Sequence, residues 1–276
     1  MAKRQRKTDQ TVIDQRLKAG RGQGTGAAYT PWLHIQDVPS KGLVHRIKGW
    51  KTQREHHFLS TLECAYFYVL EWSPSVSDIR EQYPLLPLSE TWAIAQACGF
   101  RHPTDPRTQE PIVMTTDFVI TLANGRLQSV DCARTVKPAA QLQSKRTLEK
   151  LEIERRYWQA RRTNWGIVTE QEIPQVLAKN VELLHGYLRL ANRLDLSEDE
   201  SRRIATVLTT HVQRGSTSLR AAASACDRQL GLEPGTGLTL AYHLLATRQW
   251  HVDMNMRLNP GKPLPLVSVA SELERG

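Results

Sequence analysis

With 276 residues, 40% of them hydrophobic, the chain is long enough for one large domain or two ordinary ones with real cores. Its 37 Lys and Arg against 28 Asp and Glu leave a net charge of +9, which favours a polyanionic partner, most commonly nucleic acid, with an acidic membrane surface as the other option. No apolar run approaches the roughly 18 residues of a membrane span, and the basic start MAKRQRKTDQ runs into polar sequence instead of the apolar centre of a signal peptide, so the expectation is a soluble, cytoplasmic, nucleoid-associated protein.

Residues 1–30 are polar and basic and end in GRGQGTGAAY, whose alternating glycines resist both helix and strand; they read as an arm. The stretch lacks the G-K-[ST] ending of a phosphate-binding loop. Arg21 within it is a candidate contact for DNA phosphate, and a plain terminal loop is the competing reading. From Phe58 the spacing of Leu62, Ala65, Tyr66, Val69 and Leu70 predicts a helix towards Glu71. SVSDIREQYPLLP predicts an extended segment closed by Pro84 and Pro87. PIVMTTDFVITLANGRLQSVDCARTVKP then predicts two strands about an Asn124-Gly125 turn, the first carrying Asp117 and the second ending at Lys137.

Ser144 is placed to cap a long helix through KRTLEKLEIERRYWQARR, in which Leu148, Leu151, Tyr157 and Trp158 pack and the basic residues are solvated. Lys145 and Arg146 at its start are further candidate DNA contacts. WGIVT, residues 165–169, predicts a buried strand and completes an α/β sheet domain ending near Glu170. Beyond it, VLAKNVELLHGYLRLANRL, SEDESRRIATVLTTHVQ and TSLRAAASACDRQLG predict helices, and TGLTLAYHLLATRQWHVDM a helix that yields to extended chain. Three helices and a short strand make a small winged-helix-like domain, and the proline-rich residues 259–276 read as a tail. Cys64, Cys98, Cys132 and Cys226 stand apart with no C-x-x-C pair, which favours packed, reduced thiols.

Phosphodiester hydrolysis at neutral pH calls for metal ions that hold the phosphate and activate water, and magnesium takes oxygen ligands, usually one or two carboxylates. Glu63 and Asp117 are candidates for these, with Lys137 nearby to orient water or neutralise charge that develops on the phosphate. Two plainer readings stand beside this: STLE, residues 60–63, is a capping-box pattern, and Asp117 with Lys137 could be a structural ion pair. His56-His57 invites a metal reading, but adjacent residues point apart and no third ligand is evident.

The motifs GRGQGTG, YTPWL, HRIKG, LSTLECAYFYVLEW, DIREQYPLLP, TTDFVI, VKPAAQL and RTLEKLEIERRYW together resemble the TnsA family, the endonuclease subunits of heteromeric cut-and-paste transposases. The resemblance covers about residues 15–170; the last hundred match in length and helical character alone. It implies a restriction-endonuclease-like mixed sheet flanked by helices over residues 31–170, then a smaller, mainly α, winged-helix-like partner-binding domain over 171–258. It further implies cleavage of the 5′ strands at transposon ends on double-stranded DNA, with a TnsB-like DDE recombinase and a TnsC-like AAA+ ATPase as partners. Magnesium, for which manganese substitutes, is the implied cofactor. By position, the family's catalytic residues fall on Glu63, Asp117 and Lys137, and its metal ligands on Glu63, Asp117, the carbonyl of Val136 and position 135. There the family's glutamine is replaced by Thr135, whose short hydroxyl makes direct coordination doubtful; Asp131 is a possible substitute. That departure keeps open a catalytically silent assembly subunit, and an ordinary restriction or junction-resolving nuclease, active unaided, is a third reading.

Overall fold

The structure, a computed structural model, describes residues 10–38, 43–124 and 128–270. The chain divides at Ile173/Pro174 into two units. In the first, helix α1 (Gln10–Lys18) buries Ile13 beside Trp32 and Val113, so the arm expected over residues 1–30 is packed structure from residue 10 onward. Apolar side chains hidden among basic ones anchor it. Gly22 explains the glycine richness that follows: its φ is +77°, and a Cβ there would lie 2.3 Å from Pro84 Cγ, so only glycine lets this loop approach so closely.

Strands β1 (His45–Lys48) and β2 (Glu55–Phe58) form an antiparallel hairpin. Helix α2 (Thr61–Trp72) begins three residues later than its periodicity predicts, because the Ser60 hydroxyl accepts the Glu63 N–H and caps it there. Phe58 therefore ends β2, its ring 4.7 Å from Phe67 of α2. Next come β3 (Val76–Pro84), α3 (Leu88–Ala97), β4 (Thr115–Asn124), β5 (Gln128–Val136), α4 (Lys145–Ala160) and β6 (Asn164–Val168). Their sheet has the order β3-β4-β5-β6, antiparallel except for the parallel β5/β6 pair, which makes it the mixed α/β sheet expected. The centre of the β4/β5 turn, at Gly125, lies outside the described residues. Helix α3 was not foreseen, since its apolar residues are spread round the helix instead of along one stripe, with Trp92 exposed and Thr91 buried.

Each face of the sheet has its cover. Phe118 meets Phe58 and Tyr66 at centroid separations of 5.9 and 5.4 Å, so β2 and α2 lie on one face. Val119 and Ala133 meet Ile153, Tyr157 and Trp158, so α4 lies on the other. Full burial of a ring such as Phe118 contributes about 2 kcal/mol. Beneath β2, the fully buried Glu81 accepts hydrogen bonds from Arg54 at 2.8 Å and from the His57 backbone at 3.1 Å, and lies 2.8 Å from His56 Nδ1. His56 also meets the Thr52 hydroxyl, and His57 stacks on His34, so the two histidines serve packing and an ion-pair network. Among the described residues no group of three or more His, Cys, Asp or Glu side chains is arranged to hold a metal.

The second unit holds α5 (Gln175–Leu184), α6 (Glu198–Gln213), α7 (Leu219–Leu230) and α8 (Thr236–Ala246), then strands β7 (Trp250–His251) and β8 (Ser268–Val269), paired antiparallel. Ser197 and Ser218 cap α6 and α7. Buried Asp227 accepts the N–H groups of Gly235 and Gly237 and fixes the α7–α8 turn. The proline-rich stretch expected as a tail over 259–276 is, as far as residue 270, part of the fold. Leu219 and Arg220 donate backbone N–H groups to Lys262 and Pro260, Leu264 is buried, and β8 closes on β7. Prolines mask extended chain there because they remove donors without removing packing. Three of the cysteines are buried and Cys98 half-buried, all as free thiols, and no helix among the described residues is long and apolar enough to cross a membrane.

Candidate active site

Asp117 sits near the start of β4 and Lys137 just past the end of β5, so the hairpin brings both to one end of the sheet. Lys137 Nζ lies 2.7 Å from Asp117 Oδ2 and 3.0 Å from the carbonyl oxygen of Val136, while the Val136 N–H donates to the same Asp117 oxygen at 2.7 Å. Helix α2 delivers Glu63 from the first turn. Its Oε1 accepts from the Ser60 hydroxyl at 2.9 Å and its Oε2 from the Leu59 N–H at 3.0 Å. Glu63 thus closes the helix N-terminus and also presents a buried carboxylate, so the capping reading and the site reading describe one arrangement.

Electrostatics tie these groups together. Burial, with the charge of Asp117 next, pushes Glu63 up to about 7, against the hydrogen bond from Leu59 and the charge of Lys137. Burial opposes the Lys137 charge, but Asp117, Glu154 and Glu63 outweigh it and raise its pKa. Glu63 thus senses the charges of both Asp117 and Lys137, and the two carboxylates share a single ammonium, which is paired with Asp117. The donors are hard oxygens from Glu63, Asp117 and the Val136 carbonyl, a set that suits magnesium completed by water and substrate phosphate.

Thr135 is 2% exposed and its hydroxyl donates to Glu154 Oε1 on α4. The same oxygen accepts from the Thr116 hydroxyl at 2.7 Å and from the Trp165 indole at 3.1 Å. Burial raises the Glu154 pKa, opposed first by the Thr135 hydrogen bond and reinforced by Asp117's charge. Sequence reasoning passed over Glu154. Its signal was a lone acid at positions 151, 154 and 158, the apolar stripe of an otherwise solvated helix. Asp131, by contrast, is not brought to the site. It pairs with Arg80 and accepts from the Thr121 hydroxyl, each at 2.7 Å, and four strand residues place it about 13 Å from Thr135.

The candidate DNA contacts divide. Arg21 is turned inward, bonded to the Asp37 carboxylate and to the Trp32 carbonyl, so it braces the glycine loop. Arg146 pairs with Glu149 at 3.0 Å on its own helix. Lys145 is exposed at the start of α4, beside a hollow of about 410 Å³ lined by Phe100, Leu148 and Trp165. Lys150, which sequence reasoning did not single out, is exposed one helical turn before Glu154; burial, then Lys137 and Arg146, lower its pKa. A basic strip thus runs along α4 from Arg146 towards Lys137.

Comparison with known proteins agrees with this architecture. Residues 73–170 match the family model of the TnsA-like endonuclease N terminal, and residues 172–254 that of the TnsA endonuclease C terminal. The transposon Tn7 transposition protein TnsA of Escherichia coli is 50% identical over 185 residues, 67% of this chain and 66% of that protein. The chain therefore spans just under two thirds of that relative's length. Asp117, Thr135, Val136 and Lys137 lie within the N-terminal match, and Glu63 precedes it. With both halves matched in order and half the aligned residues shared, the chain belongs to the TnsA endonuclease family.

Proposed function

We propose that this chain is a metal-dependent DNA endonuclease that cleaves the 5′ strands at transposon ends, working with a TnsB-like DDE recombinase and a TnsC-like AAA+ ATPase. The observation that carries the reading is the convergence of Glu63, Asp117 and Lys137 from α2, β4 and the end of β5. Magnesium, or manganese in its place, would supply Lewis acidity towards the phosphate and a water acidic enough to attack at neutral pH. Glu63, Asp117 and the Val136 carbonyl would hold it. Lys137 would leave Asp117 for the phosphate, where a fixed ammonium neutralises charge that grows in the transition state. Lys145 and Lys150 would bind backbone phosphate without reading sequence.

Two architectural readings accompany this. The mixed sheet, with Asp117 of β4 approached by Glu63 from α2 and Glu154 from α4, supports a restriction-endonuclease-like core. Helices α6–α8 followed by the β7/β8 ribbon support a winged-helix-like partner-binding unit. A specific observation favours a second functional reading. Buried Thr135 turns its short hydroxyl to Glu154 of α4, away from the Asp117–Lys137 pair, which would leave the metal one side-chain ligand poorer and suits a catalytically silent assembly subunit. Mapping 5′-strand breaks on transposon-end DNA with magnesium and the recombinase, for wild type and Asp117→Ala, decides between them. Breaks that vanish in the variant while 3′ cutting persists support the nuclease. Intact assembly without 5′ breaks in wild type supports the scaffold.

A further inference from the structure

Strand β3 contains a residue that a regular strand cannot hold. Gln82 has φ +49°, a left-handed value at a non-glycine residue, yet it is only 2% exposed. Glu81 pairs with Phe118 and Tyr83 with Thr116, so Gln82 lies opposite Asp117. The two faces of the sheet exchange at that point. Phe118 faces α2, but Thr116, two residues away and expected on the same face, donates to Glu154 of α4 and accepts from the Trp158 indole at 2.7 Å. Glu81 likewise faces β2 while Tyr83 packs with Trp158. The break at Gln82 allows groups from both sides of the sheet to meet at Asp117.

The Gln82 side chain is engaged there too. Its Nε2 donates to Glu63 Oε2 at 3.4 Å and its Oε1 accepts from the Thr115 hydroxyl at 3.2 Å. Its backbone carbonyl accepts the Trp32 N–H at 3.2 Å, which pins the kink to the loop beyond the glycines. Glycine would adopt this conformation without strain, so the presence of glutamine points to a use for its amide. We infer that Gln82 is a positioning residue for Glu63: the left-handed kink carries its amide to the carboxylate and orients it, beside Asp117, towards a divalent cation. This inference rests on the nuclease reading above and assigns a residue to it.

The test uses the full chain with Gln82→Gly, which keeps the kink and removes the amide, and Gln82→Asn, which tolerates the kink and holds an amide one methylene short. Magnesium alone is titrated by calorimetry, melting is followed in parallel, and 5′ cleavage with the recombinase is resolved into kcat and KM. The expected result is a Gln82→Gly protein that melts no lower than wild type, binds magnesium roughly 10-fold or more weakly, and loses kcat at constant KM for DNA, with partial recovery in Gln82→Asn. Unchanged magnesium affinity and kcat overturn the inference, as does a lowered melting temperature with unchanged affinity, which marks a structural residue. If Gln82→Gly folds poorly, Gln82→Asn carries the comparison: weaker affinity at wild-type melting supports positioning, and unchanged affinity overturns it. Wild type that neither binds magnesium nor cuts removes the nuclease reading, and this inference with it.

Discussion

Lys137 Nζ bridges Asp117 Oδ2 and the Val136 carbonyl oxygen at 2.7 and 3.0 Å, so one ammonium engages two of the oxygens proposed above as metal ligands. On the proposed reading, a metal held by Asp117 and the Val136 carbonyl would compete with this lysine. Lys137→Met should therefore bind magnesium at least as tightly as wild type, because a positive charge leaves the site, while 5′ cleavage falls about 10²- to 10³-fold, the usual loss when one donor to a developing oxyanion is removed. Calorimetry beside single-turnover cleavage separates the two effects.

Glu154 collects the Thr116, Thr135 and Trp165 donors on one oxygen. Glu154→Ala should destabilise the chain by about 3 kcal/mol, since buried donors lose their acceptor. Glu154→Gln keeps an acceptor and removes a charge that burial disfavours, so it should stay within about 1 kcal/mol of wild type. Urea midpoints at neutral pH measure both.

Glu81 sets an acid limit on stability. Burial by itself would raise its pKa, but His56 and Arg54 outweigh burial and hold it far below the ordinary 4.5. A carboxylate depressed in the folded state contributes stability above the unfolded value, and that contribution is lost as pH falls through the folded value. The wild-type melting temperature should drop steadily below about pH 4.5. Glu81→Gln should lose about 3–5 kcal/mol at neutral pH, having left Arg54 buried without its charge partner, and show a flatter acid limb.

Lys145 and Lys150 test the basic strip of α4. Each changed to Gln should weaken binding of unrelated duplexes alike and lower the slope of log affinity against log salt by about 1. Arg21→Gln, whose guanidinium is bonded within the protein, should leave that slope unchanged and instead lower the melting temperature. Filter binding across a salt series gives the slopes.

Buried Asn180 donates to the carbonyls of Met254 and Met256 and accepts the Leu258 N–H at 3.0 Å. Asn180→Ala should cost about 2 kcal/mol and expose residues 254–258 to protease, because three backbone groups lose their partners. Limited proteolysis read by mass spectrometry checks this.

Much of the local structure was legible in the amino-acid order. Ser144 announces α4, Ser197 and Ser218 precede the helices that they cap, and the helix-to-strand change after Ala246 is visible in TGLTLAYHLLATRQWHVDM. Capping and periodicity act within a few residues, so a short window contains their cause. The pairing of Asp117 with Lys137 was legible too, because a hairpin joins their strands. Tertiary structure alone decided that Thr135 would donate to Glu154, that Arg21 would turn to Asp37, and that Gln82 would break β3 opposite Asp117. Each of these depends on which face of the sheet a distant helix or loop covers, and that is settled by packing between segments far apart in the chain, where local propensity has no reach.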